Sequence, residues 1–324
     1  MRTATVTTQT TDSPSAAGDE LLSIRGLTIK AGDYDAVRDV SLTLAKSSSL
    51  ALVGESGSGK SLTASAIAGL LAPNLTATGS IRIDGAEVME QPWHARRHLA
   101  GRKIGFVFQE PMSSLHPVLT VGQQIAEGLR AHFDLGRKER AERVRELLEM
   151  VGLTNGADIS RSRIAELSGG MRQRVMIAMA ISCGPDFLIA DEPTTALDVT
   201  LQKQIIDLLL KLREDLGLAL LLITHDLGVV AETCENATVM FGGEIVEAAP
   251  TSVLLTSPRH DYTKALLAAV PVLGDTRRRL PTVASIAPWL TDGRRLPPAE
   301  RPVTDLVLQA PLHWVRQSRE VSQA

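Results

Sequence analysis

Aromatic residues are scarce: three Trp, two Tyr and five Phe make up 3% of the 324 residues. So few argue against the stacking platforms that hold single-stranded nucleic acid. Basic residues show no surplus either, since 34 Lys and Arg stand against 37 Asp and Glu for a net charge of −3, and no nucleic-acid partner is expected. The only cysteines, Cys183 and Cys234, lie far apart without a second Cys or His at metal spacing. A disulfide scaffold or zinc site is therefore not expected, and both read as reduced packing residues. The longest apolar run, Leu216 to Ile223, contains a glycine and falls short of the roughly 18 to 20 residues that cross a bilayer. The N-terminus has no apolar stretch of the kind a secretion signal needs. A cytoplasmic chain without a membrane span of its own is the expectation. What is present is a globular composition, 44% hydrophobic and 22% charged, with length enough for one large domain with subdomains and tails.

Residues 1–20, rich in Thr, Ser and Ala, cannot offset the entropy of ordering and read as a disordered leader. Short β-like runs follow at Leu22 to Ile24, Val37 to Leu44 and Ser49 to Val53. Ile81-Arg82-Ile83 before Asp84-Gly85 is a hairpin signal, because Asp-Gly tolerates positive φ. An antiparallel β subdomain is expected near the N-terminus. Over 111–165 helical periodicity dominates, with one apolar stripe at Val121, Ile125 and Leu129 and another at Val144, Leu147, Leu148 and Val151, which predicts a helical insertion. Helix and strand then alternate. The apolar runs Phe187 to Ala190 and Leu218 to Ile223 are separated by a helix from about Leu201 to Leu216, which implies a mainly parallel sheet in an α/β fold. Residues 274–324, with several arginines and prolines, are expected to form loops and one helix.

Gly54-Glu55-Ser56-Gly57-Ser58-Gly59-Lys60-Ser61 matches the phosphate-loop pattern GxxxxGK[ST], between a predicted strand and a predicted helix. Glycines let such a loop turn its backbone N–H groups onto phosphate oxygens, and the helix start adds a favourable dipole. Lys60 would bridge the β- and γ-phosphates of ATP, and Ser61 would place its hydroxyl on Mg²⁺. The strand Phe187 to Ala190 ends in Asp191 and Glu192. Asp191 is positioned to hold Mg²⁺ through water, and Glu192 to accept a proton from an attacking water.

Between these motifs lies Leu167-Ser168-Gly169-Gly170-Met171-Arg172-Gln173-Arg174. Here the sequence resembles the ATP-binding subunits of ABC transporters, whose signature is LSGGQ, with Met171 where glutamine is usual. Ser168, Gly169 and Gly170 at a helix start make a second anion site. The resemblance implies that two ATPase chains pair head to tail, as a homodimer or a heterodimer, so that the signature of one completes the phosphate loop of the other. It further implies a P-loop NTPase core of the ABC cassette type over 21–273. Gln109 is implied as the residue that senses Mg²⁺ and water, and Asp198, in Ala196-Leu197-Asp198, lies in the loop that crosses to the partner. His225 is implied as the switch that contacts the γ-phosphate. An adenine-stacking aromatic is also implied, and Tyr34 is the only aromatic in that region; a merely exposed Tyr34 is the alternative.

Two further stretches resemble the oligopeptide and dipeptide importer branch: Gln109 to Pro117, and Ser257-Pro258-Arg259-His260-Asp261-Tyr262-Thr263-Lys264-Ala265-Leu266-Leu267, similar to an HPYTxxLL segment with Asp261 in place of its proline. No cysteine follows Cys234, so no iron–sulfur site of the kind some members carry can form. The resemblance implies a peripheral ATPase at the cytoplasmic face of the membrane, powering peptide import through permease subunits and served indirectly by an extracytoplasmic substrate-binding protein. A nickel importer, an exporter or a soluble ABC-type ATPase are the alternatives. The apolar stretch Pro111, Met112, Leu115, Pro117 and Leu119 is expected to form the docking surface for a membrane subunit. The late arginines either face lipid or the partner, or form a solvated tail.

Overall fold

The computed structural model describes residues 19–195, 197–269, 304–310 and 312–318. Along the chain run β1 (Glu20–Ala31), β2 (Tyr34–Ala45), β3 (Ser49–Val53), α1 (Lys60–Ile67), β4 (Leu75–Ile83), β5 (Ala86–Glu87), α2 (Trp93–Arg102), β6 (Ile104–Val107), α3 (Pro111–Ser114), α4 (Val121–His132), α5 (Arg137–Met150), α6 (Gly156–Ile159) and α7 (Gly169–Ile181). After these come β7 (Phe187–Asp191), α8 (Val199–Leu216), β8 (Ala219–Thr224), α9 (Leu227–Thr233), β9 (Asn236–Phe241), β10 (Glu244–Pro250), α10 (Thr251–Thr256), α11 (Asp261–Ala268), β11 (Thr304–Ala310) and β12 (His313–Ser318).

Two sheets organise these elements. The smaller is antiparallel in the order β2-β1-β4-β5, and the larger runs β11-β12-β10-β9-β3-β8-β7-β6. In the larger, β9, β3, β8, β7 and β6 are parallel, and β10, β12 and β11 extend it antiparallel. Asp84 and Gly85 both take positive φ, 49° and 77°, as the predicted hairpin between β4 and β5 requires.

The strand period of two explains how the layers stack. Ala51 and Val53 of β3, Leu188 and Ala190 of β7, and Leu220 and Leu222 of β8 face a core filled by α4, α5, α7, α8 and α9. Their neighbours Leu50, Leu52, Phe187, Ile189, Leu221 and Ile223 face the opposite way, into a second core closed by α1 and the antiparallel sheet. Each fully buried Leu or Ile contributes about 1.5–3 kcal/mol, so the central strands are held from both sides.

The helical insertion forms on the predicted stripes, with Val121, Ile125, Leu129, Val144, Leu147, Leu148 and Val151 all buried. Thr120 starts α4 with a capping box, its side chain accepting from the Gln123 N–H while the Gln123 side chain accepts from the Thr120 N–H. Both cysteines are free and buried. Burial pushes both thiols up, that of Cys234 to about 11, so neither is a ready nucleophile.

Two expectations are corrected. Leu115 is not on the surface: it is 3% exposed and part of the helix-lined core, whereas Met112 and Val118 are 58% and 66% exposed. The chain leaving α3 turns Leu115 in, while Met112 and Val118 on either side point out. Where loops and a helix were expected near the C-terminus, β11 and β12 form a hairpin that pairs with β10 through Glu247 and Ala248. Of the expected leader 1–20, Glu20 already begins β1, and residues 1–18, like the arginines at 277–279 and 294–295, lie outside the described residues.

These placements predict opposite outcomes for two neighbouring substitutions. Leu115→Asp buries a carboxylate in an apolar core and is expected to destabilise the chain by about 3–5 kcal/mol. Met112→Asp is expected to stay within about 0.5 kcal/mol of the parent. Denaturant unfolding of the two variants checks this, and equal effects would overturn the assignment of Leu115 to the core.

Candidate functional site

Strand pairing gathers the site. Val53, the last residue of β3, is level with Thr224, the last of β8, and Asp191 at the end of β7 is level with Ile223. The chain therefore leaves all three strands at one rim, delivering Gly54, Glu192 and His225 there. Tyr34, Glu55, Ser56, Gly57, Gly59, Lys60, Ser61, Gln109, Glu192 and His225 line one cleft of about 660 Å³ with Ala36, Leu62 and Leu266. Ser58 is buried beneath it.

Two glycines of the loop are dictated by space. A Cβ at Gly54 would stand 2.2 Å from the Met240 carbonyl oxygen, and one at Gly59, where φ is 102°, would stand 3.0 Å from Val37 Cγ2. Lys60 begins α1 and is only 4% exposed. Its ammonium donates to the Gly54 and Glu55 carbonyls, both at 2.8 Å. An ammonium has three protons, so the loop fixes the side chain and leaves a donor for a ligand oxygen. Burial holds the Lys60 pKa below its ordinary value, while Glu192, Asp191 and Glu55 pull it back up.

Opposite stand the two carboxylates. Ser61 Oγ donates to Asp191 Oδ1 at 3.0 Å. Burial pushes the Asp191 carboxyl up, against the Ser61 hydrogen bond, and the Glu192 charge adds to the rise. Glu192 sits at φ 44°, a left-handed conformation rare for a residue with a side chain. Its N–H donates to the Ile223 carbonyl at 2.9 Å, which ties it to the end of β8. Its Oε2 accepts from Gln109 Nε2 and from Thr195 Oγ1, each at 3.0 Å, and lies 3.6 Å from His225 Nδ1.

The remaining predicted residues lie elsewhere. Ser168 caps α7, its Oγ accepting from the Met171 N–H, and Asp198 caps α8, accepting from the Leu201 N–H. The positions of Gly169 and Gly170 abut Leu197 and Leu201, so the signature and the Asp198 loop form one adjoining surface. Ser168, Gly169 and Asp198 are exposed, and none lines the cleft described above. Ala196 lies outside the described residues.

Comparison with known proteins fits this geometry. Residues 37–195 match the ABC transporter family, and residues 246–295 match the C-terminal region of oligopeptide/dipeptide transporters. The chain is 45% identical over 292 residues, covering 84% of itself and 86% of the relative, to the "Putative peptide import ATP-binding protein BOV_A0348" of Brucella ovis. The chain belongs to the ABC transporter family. It is also 45% identical over 278 residues to the glutathione import ATP-binding protein GsiA of Escherichia coli O157:H7, with 82% of the chain covered but only 44% of GsiA. Among solved structures, the dimeric, post-hydrolysis ATP-binding cassette MJ0796 bound to ADP and Pi superposes with a TM-score of 0.64 at 30% identity, over 71% of this chain and 99% of that one.

This ABC ATPase thus binds and hydrolyses ATP, and the cleft over the loop from Gly54 to Ser61 is its candidate site. Thr195, Leu266 and Tyr262, which contacts the loop from below, were not singled out from the sequence as site residues. For Tyr262 a signal existed in the HPYT-like segment. If Lys60 holds phosphate, Lys60→Ala is expected to reduce ATP binding by about a hundredfold, since it removes a buried charge at the cleft. Equilibrium titration checks this, and retained affinity would contradict the role of the lysine.

Proposed function

We propose that this ABC ATPase powers uptake of short peptides, working as one of two paired cassettes bound to membrane permease subunits at the cytoplasmic face of the membrane. A separate extracytoplasmic protein hands over the peptide. The observation that carries the pairing is the split of the phosphate-binding features. Lys60 and Ser61 line the cleft, while Ser168 and Gly169, exposed at the start of α7, lie outside it. An exposed helix start with a Ser cap is an anion site that serves no nucleotide within its own chain. A second cassette supplies one. The match of residues 246–295 to oligopeptide/dipeptide transporters supports peptides as cargo, and glutathione, named for one relative, is itself a short peptide.

Within each site the residues divide the work. Lys60 clamps the phosphates, and Tyr34, 51% exposed at the cleft edge, offers a ring face to adenine. Ser61 and Asp191 form an all-oxygen pair 3.0 Å apart. Among the described residues no group of three or more His, Cys, Asp or Glu could hold a metal by itself. That fits Mg²⁺, which takes one or two protein oxygens beside phosphate and water. Held by Ser61 and Asp191, such a cation would supply neutralisation of phosphate charge. Glu192 accepts the proton of the attacking water through Oε1, because Oε2 is engaged by Gln109 and Thr195. Gln109 orients that carboxylate, and His225, beside the same oxygen, reaches the γ-phosphate. Asp198 stands beside the signature, where the partner cassette docks.

No described helix is long and apolar enough to cross a membrane, so transport requires docking on a chain that does. The surface proposed for a permease segment comprises Phe108, Met112 and Val118, exposed by 40%, 58% and 66%. It flanks Gln109, so a movement there reaches Glu192 directly.

Two experiments test this reading. Glu192→Gln is expected to keep ATP binding and to slow hydrolysis by two orders of magnitude or more, about the contribution of a general base. Loaded with ATP it should sediment as a pair, with itself or a related cassette, and adding Ser168→Arg should return it to a monomer. A monomer in both cases, with candidate partners supplied, would contradict the pairing. Separately, Met112→Asp combined with Val118→Asp is expected to abolish short-peptide uptake in cells that depend on this chain, while the purified chain keeps its basal ATP hydrolysis. Full uptake by that variant would move the docking surface elsewhere.

A further inference from the structure

The segment from Ser257 to Leu267 takes no part in the chemistry assigned above, yet it ends against the phosphate loop. The Glu55 N–H donates to the Tyr262 hydroxyl at 3.0 Å, across 207 positions of sequence. Tyr262 is fully buried at 0% exposure, and its ring lies 4.3 Å from that of Phe241, centroid to centroid. The residue before Phe241 is Met240, whose carbonyl is the close neighbour that admits only glycine at position 54. The first two residues of the loop therefore rest on the end of β9 and on Tyr262.

Tyr262 is itself held from the far end of the chain. His260 caps α11, its Nδ1 accepting from the Tyr262 N–H at 3.2 Å. The N–H groups of Arg259 and His260 donate to the two oxygens of Glu247 at 2.8 and 3.1 Å. Glu247 is 0% exposed, and its Oε1 also meets His313 Nε2, on β12, at 2.6 Å. One buried carboxylate thus joins β10, the turn before α11 and the C-terminal hairpin. Asp261, where the related segment has proline, is the first residue of α11 and pairs with Lys264 at 3.1 Å. An acidic residue suits a helix start as proline does, so the replacement keeps the helix that presents Tyr262.

We propose that Tyr262 is a positioning residue for ATP binding: its hydroxyl holds Glu55 so that the phosphate loop is preformed, and the His313–Glu247 clamp fixes Tyr262 in place. The physical reason is entropic. A loop containing Gly54, Gly57 and Gly59 has wide conformational freedom, and whatever narrows it in the free chain lowers the ordering cost when nucleotide binds. The inference rests on ATP binding alone and is independent of the transported cargo.

Tyr262→Phe keeps the ring and removes only the hydroxyl that accepts from Glu55. Calorimetric titration of the full chain with MgATP, in a Glu192→Gln background that prevents turnover, is expected to show about three- to tenfold weaker binding. In the parental background KM for ATP should rise by a similar factor with kcat little changed, and the melting temperature without nucleotide should be preserved. Unchanged affinity overturns the proposal. So does a variant that fails to fold, or one whose affinity falls only in step with its melting temperature, since either marks the hydroxyl as core support. The clamp is tested by His313→Ala, expected to weaken ATP binding in the same direction, and by His313→Gln, which keeps a donor toward Glu247 and is expected to restore it. Equal affinity for these two variants overturns the role of the clamp.

Discussion

The level parallel pairing of β3, β8 and β7 is the constraint on which the rest of this molecule depends. Because Val53, Thr224 and Asp191 end their strands side by side, the next residues of three distant stretches meet at one rim. A slip of one residue in any strand would turn its side chains to the opposite face. Burial forbids that slip, since the alternate residues of each strand already belong to different cores. The two cores thereby set the geometry of the candidate site that they flank.

Burial also works against the charges at this rim. Burial raises the Asp191 pKa and lowers that of Lys60, so each charged form is disfavoured there. The sign follows from linkage: the Asp191 penalty is present above the usual carboxylate range and relieved as pH falls, and the Lys60 penalty is present below the usual lysine range and relieved as pH rises. At neutral pH both penalties stand together. The left-handed φ of Glu192 belongs to the same pattern of local cost at a working residue.

Much of this was legible in the sequence, for reasons that differ by residue. The loop from Gly54 to Ser61 and the pair Asp191-Glu192 announce themselves because their chemistry is local, and the central strands show as unbroken apolar runs buried on both sides. The antiparallel sheet, the helical stripes from Val121 to Val151 and the Asp84-Gly85 hairpin also follow from short-range rules. Leu115 was misread because it lies just past the four-residue α3, in extended conformation, where no helical period tells an inward side chain from an outward one. The C-terminal hairpin was missed because β11 and β12 lie at the sheet edge, and the nearby arginines and prolines suggested loops. Thr195 carries no local mark, and the HPYT-like segment marks Tyr262 without saying what it touches. Their roles come from contacts that only the folded chain makes, in the case of Tyr262 across most of its length.

The central claim is that the converging strand ends build one half of an ATP site, which a second cassette completes. Amide hydrogen exchange of the Glu192→Gln chain, with and without MgATP and read separately for single and paired species, tests it most directly. Protection of residues 54–61 is predicted in every ATP-bound species, with protection of residues 168–171 only in pairs. Protection of 168–171 in the single chain, or ATP binding that leaves 54–61 unprotected, would contradict the account.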